Sequence, residues 1–374
     1  MNVIDFFKKI PKEVRYLLCL FLSTRIILTL IFITSSFIMY PSIKVASNSS
    51  YSLLRVWGTW DTGWYMNIVQ NWYPSVIKVG ASNFGFFPLY PIMIKLLSFI
   101  VQDYFISGII ISNLCLILSC FLIYKIVRLD EDEETSMRSI KYLFFFPAAF
   151  ILSAVFSESL LLVLFLACFY YSQKEKWAYV GIFGFFAALT KPYGFFIIIP
   201  LLYEYAKSKG FRIKNVRLDI LYLLLIPMGI ALFSLYCYYL TGDYLAFVHV
   251  KQSGWNFYLS NPLTIIKNNL FFKNPVRSFD IYSVLIMMAS SILFYKKLRI
   301  SYVLMVLLFI FIPLSSGANM VAGLLRYSVV LFPIYILLAK ISKNKYVDEI
   351  LSVCLILLQG FLVAFWHAPF MIIQ

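Results

Sequence analysis

Long apolar stretches recur through this chain, and short clusters of lysine and arginine separate them. A membrane-crossing helix needs about 20 apolar residues, and many of the stretches approach that length. Hydrophobic residues make up 62% of the 374 positions and charged residues only 13%. A soluble domain is nearer half apolar and a quarter charged. The pattern predicts an all-α, polytopic integral membrane protein in which the whole chain, residues 1–374, forms one multi-span domain.

The first apolar stretch, Arg15 to Tyr40, follows Lys8, Lys9 and Lys12. It is too long for a signal-peptide core and reads as a retained span. The six cysteines fall inside apolar stretches with no Cys-x-x-Cys pair, which predicts buried, unpaired thiols. A net charge of +15 would suit a nucleic-acid partner. The cations, however, lie between spans, as the positive-inside rule expects, and no nucleic-acid partner is predicted.

Basic clusters at 8–15, 125–141, 174–176, 207–217, 296–299 and 340–345 hold most of the 32 basic residues. Placing all six on the cytoplasmic side predicts about eleven transmembrane helices. These are 16–38, 105–128, a broken pair at 141–156 and 158–173, then 177–190, 193–206, 218–240, 280–296, 300–316, 324–340 and 347–367. The N-terminus is then cytoplasmic. Residues 86–101 carry Pro88, Pro91 and Lys95 and read as an interfacial or re-entrant helix in the first outer loop. The acidic run Asp130 to Glu134 reads as a solvated inner loop.

This topology sorts the charges. Of 17 acids, only Asp61, Asp103, Glu158, Asp243 and Asp280 map to the outer half, with both histidines, His249 and His367. Lys191, Lys251 and Arg326 are outer-side bases near spans. Ionisable groups placed at a membrane face are functional candidates. Asp61 stands in Trp60-Asp61-Thr62-Gly63-Trp64-Tyr65, one acid among rings that offer flat faces to a sugar. A carboxylate serves as a general base when no permanent cation quenches it. The same residues also fit an interfacial aromatic belt with Asp61 as a helix N-cap. Glu158 fits either a cap or a second polar anchor. Lys191 and Arg326 fit either a lipid phosphate or snorkelling to headgroups. His249 fits a structural role or a hydrogen bond to phosphate or sugar. No ligand-spaced cluster of histidines and carboxylates occurs on this side, so no metal cofactor is expected.

The motifs occur in a recognisable order. Trp60-Asp61-x-x-Trp64-Tyr65 precedes Phe86-Phe87-Pro88-Leu89-Tyr90-Pro91. Phe146-Pro147, Ser157-Glu158-Ser159-Leu160 and Ala187-Ala188-Leu189-Thr190-Lys191-Pro192-x-Gly194 come next. Gly242-Asp243-x-x-Ala246-Phe247, Arg326-Tyr327 and Phe332-Pro333 complete the set. Over residues 55–340 the chain resembles the PIG-V family of GT-C glycosyltransferases, named for the second mannosyltransferase of GPI-anchor synthesis. No single motif is specific; the ordered set is.

The resemblance implies a GT-C-like fold with an extracytoplasmic active site. It implies a dolichyl- or other polyprenyl-phosphate sugar donor, mannose above all, with inversion at the anomeric carbon. Asp61 would be the general base. Arg326, Lys191 and His249 would hold the donor phosphate, and Trp60, Trp64, Tyr65 and Glu158 would contact substrate. The expected partners are the lipid-linked donor, a lipid or glycan acceptor, and membrane lipids. Thr59 and Lys191 stand where the family often has arginine. The Ile, Lys, Phe, Tyr and Asn bias suggests an AT-rich prokaryote, hence its plasma membrane and an open choice of acceptor. The competing class is a transporter or flippase of a lipid-linked sugar. It would distribute charges along a pathway, whereas these span centres are nearly charge-free apart from Arg25.

Overall fold

The computed structural model describes residues 10–39, 54–76, 80–270, 275–321 and 323–366. These residues form helices and turns, with no strand among them. In chain order the α-helices are α1 (Lys12–Met39), α2 (Thr62–Asn71), α3 (Leu89–Val101), α4 (Tyr104–Val127), α5 (Glu133–Phe145), α6 (Glu158–Ser172), α7 (Trp177–Thr190) and α8 (Ile198–Ser208). They continue with α9 (Leu225–Thr241), α10 (Ala246–Trp255), α11 (Pro262–Asn269), α12 (Pro275–Leu293), α13 (Ile300–Leu314), α14 (Leu324–Tyr327), α15 (Phe332–Ile341) and α16 (Lys345–Ala364).

Among the described residues, five helical segments are long and apolar enough to cross a bilayer: Lys12–Ile38, Tyr104–Val127, Leu218–Thr241, Pro275–Leu293 and Lys345–Ala364. A bent pair, Leu324–Val330 with Phe332–Ile341, makes a sixth if it counts as one span. Helices α3, α6, α7 and α13 are apolar but shorter, at 10–17 residues. At 1.5 Å per residue, the 15-residue α6 is about 22 Å long, short of the roughly 30 Å hydrocarbon core. This helix is buried on nearly every side, packed between α4 and α7. Its length is set by protein neighbours rather than by lipid.

Two expected spans are interrupted. Residues 141–156 do not form one helix: α5 starts at Glu133 and stops at Phe145, ahead of Pro147, and a 3-10 turn follows at Ala149–Ser153. A residue before proline is disfavoured in the α region, so the helix ends there. Residues 324–340 break at Leu331, ahead of Phe332-Pro333, and the two halves meet at 79°. Arg326 therefore sits on a one-turn helix rather than on a straight span. Residues 86–101, expected to be interfacial, contribute the 13-residue α3, too short to span on its own. The region of His367 lies outside the described residues.

Among the described residues, the basic clusters gather at one end of the bundle. Lys12 pairs with Glu133 at 3.8 Å, Arg299 grips Asp130 with both Nε and Nη2, and Lys340 reaches Glu131 at 2.7 Å. Arg299 also approaches Glu204 on α8, and Lys209 pairs with Glu175 at 3.3 Å. The run Asp130 to Glu134 is solvated, with four of its five acids exposed, but its side chains are engaged. Asp132 caps α5 through Thr135 N–H, Glu134 pairs with Arg138, and the other three acids tie neighbouring clusters together.

Close backbone approach holds α7 to the Leu218–Thr241 segment that contains α9. A Cβ on Gly181 would lie 2.1 Å from the Tyr222 carbonyl oxygen, and one on Gly229 would lie 2.5 Å from that of Phe185. Small residues allow such contacts between apolar helices that have no hydrophobic drive to associate within lipid. The pairing fixes the far end of α7, where Lys191 follows.

Candidate active site

Asp61 immediately precedes α2. Its backbone is helical (φ −61°, ψ −21°), yet its carboxylate makes no capping hydrogen bond. The residue before it, Trp60, holds φ at 49°, a left-handed conformation that is strained for a bulky side chain. That kink is braced from three sides. Trp60 Nε1 donates to the Trp366 carbonyl at 3.2 Å, Thr62 Oγ1 donates to the Val155 carbonyl at 3.2 Å, and the Tyr65 hydroxyl meets Ser157 Oγ at 2.7 Å. The carboxylate is thereby turned away from its own helix and toward Arg326, whose Nη1 stands 3.0 Å from Asp61 Oδ2. The cap reading of Asp61 does not describe its side chain. The expectation of a carboxylate with no cation beside it is likewise corrected.

Glu158 opens α6 and is fully buried. Its Oε1 lies 2.7 Å from Lys191 Nζ and 3.4 Å from Arg326 Nε, while Oε2 has no hydrogen-bond partner. It anchors two cations rather than capping a helix. Lys191 follows the last turn of α7, where Pro192 stops the helix and starts a 3-10 turn. Arg326 spends Nη2 on the Tyr327 hydroxyl at 2.8 Å, and its guanidinium lies over the Phe156 and Tyr327 rings. Its Nε and Nη1 lie near the carboxylates, but neither makes an aligned hydrogen bond. Behind it, buried Asp280 of α12 accepts from Leu325 N–H at 3.3 Å and fixes the start of α14. The charge-sorted topology puts Asp280 on the outer half, but nothing in its sequence neighbours signals this support of α14.

These groups converge on a cavity of about 330 Å³. Asp61, Lys191, Arg326 and Lys251 supply its charge, while Tyr65, Phe86, Tyr193, Phe196, Phe257 and Ile312 form much of its wall. Lys251, on α10, lies 4.2 Å from the Trp255 ring centroid, 4.6 Å from Phe86 and 5.6 Å from Phe257. Burial pushes its ammonium down from 10.5 to about 8; Asp61 pulls upward, and Arg326 and Lys191 push further down. Sequence reasoning marked Lys251 as an outer-side base without giving it a role.

The remaining candidates separate. Tyr65 lines the cavity, but Trp60 and Trp64 do not. Trp64 stacks on Phe86 at 5.7 Å and packs edge-on against Trp255 at 5.4 Å, so it supports the wall from behind. Trp60 borders a separate cleft with Arg55, Gln70 and Asp103. His249 is exposed and hydrogen-bonds Asp243 at 2.7 Å, outside the cavity lining. Among the described residues, no three His, Cys, Asp or Glu side chains are grouped to hold a metal ion.

One glycine sets the position of Lys191. A Cβ on Gly194 would lie 2.2 Å from the Ala187 carbonyl oxygen, a backbone atom that cannot swing aside. Overpacking of this kind costs about 1–3 kcal/mol. Gly194→Ala should therefore lower the thermal unfolding midpoint in detergent. An unchanged midpoint would show that the turn has slack.

Residues 87–239 match the family model described as dolichyl-phosphate-mannose-protein mannosyltransferase. The match takes in Glu158 and Lys191 and leaves Asp61, Lys251 and Arg326 outside. Together with the helical membrane architecture, it supports a membrane glycosyltransferase of the GT-C class. Among solved structures, the chain is similar to the Archaeoglobus fulgidus oligosaccharyltransferase tethered to an acceptor peptide containing the NVT sequon. The TM-score is 0.48 at 14% identity, covering 92% of this chain and 54% of that one. The present chain thus spans about half the length of that structure. No curated protein matches the sequence.

Proposed function

We propose that this chain is an inverting glycosyltransferase that moves a sugar, mannose by its PIG-V-like motifs, from a polyprenyl-phosphate donor to a lipid or glycan acceptor. The reaction takes place on the extracytoplasmic face of a prokaryotic plasma membrane. The observation that carries the proposal is the charge balance of one cavity. Asp61 on the cavity wall and Glu158, buried behind Lys191 and Arg326, offset two of the three cations Arg326, Lys191 and Lys251, which leaves one net positive charge. A sugar phosphodiester carries one negative charge and neutralises it. The apolar wall suits the first isoprene units, and the opposite end of the bundle holds the basic clusters that favour the cytoplasm.

The acceptor hydroxyl bonds Asp61 through Oδ1, since Oδ2 faces Arg326. As its oxygen attacks the anomeric carbon, the proton passes to Asp61. The bond from that carbon to the phosphate oxygen breaks, with its electron pair going to the phosphate. Attack and departure lie on opposite faces, so the configuration inverts. Phosphate leaves without a general acid, but it gains charge as it does so. Arg326 Nε and Nη1, Lys191 and Lys251 meet that charge from positions already fixed in the fold. A phosphate that draws Arg326 away from Asp61 also makes Asp61 a stronger base. His249 has no part in these steps.

Purified protein incubated with radiolabelled polyprenyl-phosphate mannose and a panel of lipid and glycan acceptors tests the reading. Transfer from the lipid donor, with none from a nucleotide sugar, is expected. Failure to use any polyprenyl-phosphate sugar, with no slow hydrolysis of one either, would overturn it.

Lys251 adds a pH signature. Its ammonium loses its proton as the pH rises through about 8, and the cavity then loses its net positive charge. In the free enzyme this should appear as a fall in kcat/KM above that pH. Lys251→Arg should move the fall out of range, because a guanidinium keeps its proton. A wild-type profile flat from pH 7 to 9.5 would remove Lys251 from donor binding.

A further inference from the structure

The centre of α1 carries a charge that the transferase reaction does not use. Leu22, Ile26, Ile27 and Leu30 are each more than half exposed and face lipid, whereas Arg25 is 9% exposed and turns inward. Arg25 Nη1 donates to Ser153 Oγ at 2.5 Å, and its guanidinium lies 5.8 Å from the Trp57 ring centroid and 5.6 Å from that of Phe144. Among the described residues, no carboxylate lies within ion-pair distance of it. Its Nε and Nη2 are buried and have no hydrogen-bond partner. These two nitrogens form one edge of the guanidinium, the fork that grips two oxygens of a phosphate or carboxylate side-on.

Beside it lies a cavity of about 380 Å³ between α1 and α4. Phe21, Ile26, Leu30 and Ile109 give it apolar walls, and Asn113 and Ser153 add polar atoms near Arg25. Ile26 and Leu30 are also lipid-facing, so the cavity is open to the bilayer side. It shares no lining residue with the cavity at Asp61. A guanidinium keeps its charge, and an unpaired charge among apolar side chains is strongly unfavourable. An anion that brings its own apolar chain resolves both problems.

We propose that this cavity is a second lipid site, which binds the phosphate of an anionic phospholipid on the Arg25 fork and lays one acyl chain along Ile26 and Leu30. The site touches both segments that carry the active-site carboxylates. Trp57 lies four residues before Asp61, and Ser153 five before Glu158. A bound lipid braces both.

Native mass spectrometry of the full-length protein in detergent, with phosphatidylglycerol or phosphatidylcholine added at equal concentration, reads the site directly. Wild type should retain phosphatidylglycerol at least tenfold over phosphatidylcholine, and Arg25→Gln should lose that preference. Polyprenyl phosphate, which belongs to the other cavity, should still bind the variant. Leu30→Trp, which keeps the guanidinium and fills the groove, should also lose phosphatidylglycerol, and it covers the case in which Arg25→Gln fails to fold. Equal retention of the two lipids by wild type would overturn the site, as would undiminished phosphatidylglycerol on Arg25→Gln or Leu30→Trp. Inorganic phosphate that competes as well as the lipid does would overturn the role of the apolar walls.

Discussion

Asp61→Asn is expected to lose sugar transfer by about 10²–10⁴-fold, the usual worth of a positioned proton acceptor, while still folding and still binding the lipid donor. The amide has the shape of the carboxylate but cannot take the acceptor proton. Asp61 is not needed for the core: its side chain is 20% exposed and caps no helix, and Arg326 keeps Glu158 as a partner. Removing one negative charge from the cavity also leaves more positive charge for the donor phosphate. The expected result is therefore a fall in kcat with donor affinity equal to wild type or tighter, measured by single-turnover transfer and by equilibrium binding of the donor. A purely structural Asp61 gives the opposite split, with lower stability and proportionate losses of binding and rate. A variant within a few-fold of the wild-type rate would show that another group takes the proton.

Much of this site was legible before any geometry, because its residues sit in short local motifs beside span ends. Asp61, Tyr65, Glu158, Lys191 and Arg326 stand out as charged or polar groups where apolar runs begin or stop. Their partnerships do not: Arg326 and Asp61 come from opposite ends of the chain and meet only in the fold. Lys251 and His249 show the limit most clearly. They lie two positions apart on α10, so they point about 200° apart. The histidine was the more conspicuous residue type, yet the lysine faces the cavity. The helix breaks at Phe146-Pro147 and Phe332-Pro333 were visible as prolines. Hydropathy alone favoured unbroken spans across both, because buried turns are as apolar as helices. The acidic run at Asp130 is the solvated loop that its sequence suggests, but its partners, Arg299 and Lys340, come from distant segments and leave no local signal.

Glu158→Leu should be the most destabilising substitution in the site. Glu158 is fully buried and is the near partner of Lys191, with Arg326 beside it. Removing one member of a buried ion pair leaves the other charge without compensation, which costs about 3–5 kcal/mol. Leucine fills the space but offers Lys191 nothing, so the penalty is electrostatic rather than a cavity. The thermal midpoint in detergent should fall well below that of Asp61→Asn, whose partner Arg326 retains a second carboxylate. The pair itself is a different matter, since a buried ion pair replaced by apolar groups of similar volume is often neutral. Glu158→Leu combined with Lys191→Met should therefore recover much of the lost stability while remaining defective in donor binding. The two sites are in contact, so strong non-additivity is expected of the double-mutant cycle. Additive losses would mean that Lys191 draws no stability from Glu158 and that its place at the cavity is held by the Pro192–Gly194 turn alone.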